Sequence, residues 1–150
     1  MKYKELADKL IKKSFPKLKN KKPRIIESKI FRNYGFYLPI INVIFLTKRK
    51  KFSDKEKIGL LVHELCHAEQ SNKMGFFENI FLFVHYWFSS KLKKAVEIDA
   101  DKLAIRKGYA KELFESTRIW EKDFGKMEYG LSLKQIKSYA KKGNNFKKGF

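Results

Sequence analysis

The run His63-Glu64-Leu65-Cys66-His67 sets two imidazoles four residues apart, with a carboxylate directly after the first. On an α-helix, residues i and i+4 lie one turn apart on the same face, so both rings can grip one metal ion. Glu64 sits about 100° round from His63, a direction from which a carboxylate can reach a water on the metal. Zinc lowers the pKa of such a water to about 7, where a nearby carboxylate can take its proton. The chain has 3 His, and two of them fall in this motif. The plainer alternative is a pair of satisfied histidines on a helix face.

Two histidines leave a catalytic zinc short of ligands, because such sites take a third protein ligand and keep a fourth position open. His85 is one candidate. The segment Glu97-Ile98-Asp99-Ala100-Asp101 holds the others. Glu97 and Asp101 are i and i+4, so both can face the first helix: Glu97 on the metal, Asp101 accepting the outer N–H of a liganding histidine. A solvated acidic patch would not need Ala100 and Ala104 beside those acids, which favours Glu97 over Asp99 and His85. Cys66 is better read as a small buried hydrophobe than as a soft ligand.

The pairing of HELCH at 63–67 with EIDADKLAIRKG at 97–108 resembles the gluzincin metallopeptidases, in which a Glu on a second helix, in the form ExxAD, completes an HExxH site. Glu97, Ala100, Asp101, Ala104 and Gly108 match the pattern of the M48-like peptidases, and the size is similar to that of the minigluzincins. His67-Ala68-Glu69-Gln70 also resembles the HExxHxxQ form of DUF4157-type zinc domains. The resemblance covers about residues 35–108. It implies peptide-bond hydrolysis with one Zn2+ per chain on His63, His67 and Glu97, Glu64 as general base and acid, and Asp101 behind the ligands. It also implies a substrate-side strand, matched here by Asn42, Val43 and Ile44. The oxyanion-stabilising residue of those enzymes has no clear counterpart; Tyr109, Tyr129, Arg106 and His85 are the candidates.

The elements that must position these residues are legible in outline. Tyr3, Leu6, Ala7, Leu10, Ile11 and Phe15 recur at helical spacing, and Pro16 ends that helix. Residues 25–31 and 35–47 are rich in Ile, Phe, Tyr and Val and read as two or three short strands, broken near Leu38–Pro39. The stretch around Ile40–Thr47 is expected to present an exposed edge to an extended peptide. Ser53 and Glu56 form a capping box that starts a helix over about 54–71. Residues 76–90 are apolar on almost every side and allow three readings: a core helix behind the active helix, a wall or lid over the cleft, or a membrane-interface segment. Helices follow at 92–107, stopped by Gly108, at about 110–123, and from Ser132 to about Ala140; the tail 143–150 reads as flexible. The expectation is one α+β zincin-like domain over 1–150, a short antiparallel or mixed sheet packed on the HExxH helix, with further helices.

Composition bounds the partners. The chain of 150 residues has 43% hydrophobic residues, enough for a core, and a single cysteine, which excludes an internal disulfide. No apolar run reaches the roughly 20 residues of a spanning helix, and the N-terminus lacks a secretory h-region, so a cytoplasmic location is expected. The net charge of +19 points to nucleic acid or an anionic membrane surface as a partner besides a peptide substrate, or to a solvated lysine-rich surface alone. Competing functions are a nucleic-acid-associated or repressor-cleaving HExxH protease and a non-catalytic zinc-containing polyanion-binding module.

Overall fold

The computed structural model describes residues 2–30 and 33–143. Among them are six α-helices and a three-stranded mixed sheet, an α+β arrangement dominated by helix. Of the expected tail at 143–150, residues 144–150 lie outside the described residues.

Helix α1 (Tyr3–Ser14) buries the stripe Tyr3, Leu6, Ala7, Leu10 and Ile11 and stops before a 3-10 turn at Pro16–Leu18. The strands are β1 (Arg24–Ser28), β2 (Gly35–Leu38) and β3 (Val43–Thr47), in the order β1-β3-β2. β3 runs parallel to β1, with Ile25 opposite Ile44, and antiparallel to β2, with Tyr37 opposite Ile44. The break at Leu38–Pro39 is a 3-10 turn over Pro39–Ile41, closed by Asn42 in the left-handed region at φ 52°. Asparagine tolerates that conformation because its short side chain can bond locally. Its Oδ1 accepts from the Tyr37 hydroxyl at 3.1 Å.

This order corrects the expected substrate strand. β3 is the central strand, paired on both sides, and Val43 and Ile44 are buried in the core. Asn42 lies in the turn rather than in a strand. A strand whose burial pattern is nearly continuous belongs between neighbours, and the edge strands here are β1 and β2.

The helical layer follows as α2 (Asp54–Ser71), α3 (Phe76–Phe88), α4 (Ser90–Arg106), α5 (Ala110–Phe124) and α6 (Leu133–Lys142). Both halves of the capping box at Ser53 and Glu56 form, and the Ser132 cap holds α6 in the same way. α2 packs closely on α5 at Gly59, where an added Cβ would sit 2.0 Å from the Glu112 carbonyl oxygen. Only glycine permits that backbone approach. One core cluster joins α1, the sheet, α2, α4, α5 and α6, with Phe15, Leu46, Leu61, Leu65, Leu113 and Ile136 fully buried.

Helix α3 departs from the reading of a core helix behind α2. It has no buried residue. It leans on α4 and on the Pro39–Ile41 turn, so one face meets the cleft and the other meets solvent. No described helix is long and apolar enough to cross a membrane.

Candidate metal centre

α2 carries two opposed faces at the motif. Leu61, Val62, Leu65 and Cys66 point into the core at 0% exposure. His63 and His67 turn the other way, into a cleft of about 580 Å³. Burial pushes the Cys66 thiol far above its ordinary range, and this residue stands apart from the ligand cluster. The helical register thus separates packing from chemistry within five consecutive residues.

Three ligand atoms converge in that cleft. His63 Nε2 lies 3.0 Å from Glu97 Oε2, His67 Nε2 lies 3.1 Å from His63 Nε2, and His67 Nε2 lies 3.5 Å from the same Glu97 oxygen. A tetrahedral ion with bonds near 2.05 Å would hold its ligand atoms about 3.3 Å apart. The observed triangle has edges of that size. His63 Nδ1 lies 2.8 Å from Asp101 Oδ1; with the proton on Nδ1, the deprotonated ring would turn its Nε2 lone pair toward the centre. A bare imidazole nitrogen and a carboxylate oxygen at 3.0 Å are two acceptors facing each other, which needs a cation or a proton between them. The residues present therefore fit a divalent metal ion.

The supporting contacts are specific. Asp101 is buried, and its second oxygen accepts the Leu131 backbone N–H at 2.7 Å. Gly130, at φ 86°, brings that backbone in; an added Cβ would sit 2.8 Å from Asp101 Oδ2. On the other side, the Tyr86 hydroxyl of α3 donates to Glu97 Oε1 and fixes the carboxylate rotamer. Burial opposes a charge on His63, but the hydrogen bonds and charges of Asp101 and Glu97 outweigh it and raise its pKa well above the ordinary range. Burial likewise favours the neutral acid at Glu97, yet the two imidazoles hold it well below the carboxylate range.

Compared with protein-family models, curated proteins and solved structures, the chain matches none. The arrangement itself must carry the functional reading.

Glu64 lies along the same cleft but contributes no atom to the ligand triangle. It is 4% exposed, and its Oε2 is buried with no hydrogen-bond partner among the described residues. Burial raises its pKa; the two histidines and a backbone hydrogen bond from Tyr37 work against that. Glu64 is thus a buried carboxylate in the wall of the cleft that holds the candidate metal cluster.

The other sequence candidates divide. Tyr129 lines the cleft, with Lys93 Nζ 4.3 Å from its ring centroid. Tyr109 points away from the cleft and pairs its hydroxyl with Ser14 Oγ at 2.7 Å. Arg106 and Asp99 are exposed on α4 and do not line the cleft. His85 is exposed on the outer side of α3, its ring 4.1 Å from that of Phe81. It is therefore neither a ligand nor an oxyanion donor in this arrangement. Tyr86 was not anticipated. Its hydroxyl is one polar atom in a run of aromatics, and only the i+1 relation to His85 would have drawn attention to it.

Proposed function

We propose that the chain is a zinc-dependent endopeptidase of the gluzincin type, on a zincin-like α+β scaffold. The observation that carries this reading is the triangle of His63, His67 and Glu97, three protein ligands rather than four, in a cleft that Glu64 also lines. A structural zinc site would be closed by four protein ligands.

A zinc ion held there supplies a Lewis acid for a peptide carbonyl and brings the pKa of a water down to about 7. The chain's own residues do the rest. Glu64 would accept the proton of the attacking water and return it to the leaving amine. Burial, by raising the Glu64 pKa, brings it closer to the neutral range in which a base can also act as an acid. Asp101 holds the His63 ring in one tautomer, and Tyr86 holds Glu97 in one rotamer. Tyr129 replaces Tyr109, Arg106 and His85 as the group that can reach a developing oxyanion, because it is the one of the four along the cleft. An extended peptide adds to the edge strand β2, whose Phe36, Tyr37 and Leu38 line the cleft, and not to β3.

The test is metal analysis of the purified chain with a casein-type assay, repeated on Glu97→Ala. The reading expects about one zinc per chain and proteolysis, both lost in the variant. A variant that keeps zinc and activity would refute it. The charge of +19 favours a second reading, a protease acting on nucleic-acid-bound proteins. DNA-stimulated proteolysis would distinguish it.

A further inference from the structure

We propose that the outward face of α3 docks on the surface of an anionic lipid membrane. Phe77, Phe81, Val84 and Phe88 follow one another at spacings of four, three and four residues, which puts them on a single helical stripe. Their exposures are 82%, 66%, 48% and 87%, and Trp87, 68% exposed, stands at the border between this stripe and the cleft, which it also lines. A contiguous apolar patch of this kind on a folded domain marks an interaction site.

The helix cannot turn this stripe inward, because its other face is engaged. Asn79 donates to the Ser71 carbonyl at 3.0 Å and Tyr86 bonds Glu97. One of these two contacts, Tyr86 to Glu97, also supports the candidate metal centre.

Charge selects the occupant. Within α3 the only acid is Glu78, and exposed Lys73, Lys91 and Lys94 flank its two ends. A second copy would set lysines against lysines and +19 against +19. Nucleic acid would answer the lysines but leave a stripe of phenylalanine and valine side chains in water. An anionic bilayer answers both, taking the apolar stripe below its headgroups and the lysines at headgroup level. With 13 residues the helix is about 20 Å long, short of the roughly 30 Å hydrocarbon core, so it would lie in the interface plane.

The docking does not depend on the peptidase reading and is tested without it. The full chain carrying Trp120→Phe, so that Trp87 is the sole reporter, is mixed with phosphatidylcholine vesicles containing about 30% phosphatidylserine. The proposal expects co-flotation, a blue shift of Trp87 emission, and weaker binding at high salt. The triple variant Phe77→Ser, Phe81→Ser, Phe88→Ser should keep the parent's circular dichroism and lose about tenfold or more in binding. Failure of the parent to float overturns the proposal. So does flotation that the triple variant retains, which would mean lysine attraction alone. So does a dimer in sedimentation velocity that the triple variant dissolves while vesicles go unbound.

Discussion

Nδ1 of His63 and Oδ1 of Asp101 meet at 2.8 Å although 38 residues of chain separate them. That contact joins α2 to α4, orients the ring of a candidate ligand, and is itself held by the Leu131 backbone N–H. Asp101→Asn keeps the shape but weakens the ring's orientation and basicity. Zinc affinity should fall about 10–100-fold, read by competition with a chromogenic chelator. Unchanged affinity would show that Asp101 is only a structural cap on the 130–131 turn.

Glu64→Gln should separate binding from turnover. The ligand triangle does not include Glu64, so zinc content should stay at the parent level. The proteolytic rate should drop by about 10²–10⁴ if the carboxylate moves the proton. The variant also replaces a buried carboxylate that has an unpartnered oxygen, so the metal-free protein should melt no lower than the parent. Parent-like proteolysis in this variant would exclude Glu64 as the base.

Metal-free and metal-loaded protein should respond to pH with opposite signs. In the metal-free protein the His63 pKa is raised above its unfolded value of 6.5. Its contribution to stability is therefore fully present below about 6.5 and is lost as pH rises through the folded value. Zinc needs the deprotonated ring, so metal binding strengthens over the same rise. Thermal melts across neutral and alkaline pH, with and without zinc, should show the gap between the two forms widening. A constant gap would mean that protons and metal do not compete at this site.

Gly59→Ala should be among the most damaging small substitutions. The added Cβ would collide with the Glu112 backbone at 2.0 Å, and backbone cannot rotate away. Separation of α2 from α5 should cost about 1–3 kcal/mol or more, measured by urea denaturation. Gly75→Ala serves as the control, since its nearest neighbour is 3.7 Å away at a side-chain tip.

Much of the centre could be read from the sequence because helical periodicity is local. The pairs His63/His67 and Glu97/Asp101 follow from the i, i+4 rule, whereas setting one pair against the other, with His85 and Asp99 also open, rested on the resemblance to the ExxAD pattern; the structure brings the four side chains together. Residues brought in by chain reversal were not readable. Leu131 serves Asp101 through its backbone N–H, which carries no mark of side-chain type. Strand order was equally hidden: β3 looks like an edge candidate by proximity to the motif, but pairing partners are decided by the whole sheet. Tyr86 was lost among neighbours of similar hydropathy, and Tyr109 misled because its hydroxyl is satisfied by α1, far along the chain.

Helix α3 lies wholly between His67 and Glu97, candidate ligands on α2 and α4. An ion held by those two side chains would clasp the segment into a closed loop, with the entropy cost of closure met once. Without the metal the segment would keep only the Asn79–Ser71 and Tyr86–Glu97 contacts, and Asn72–Gly75 and Ser89 are the hinges where a digesting enzyme should first nick the chain.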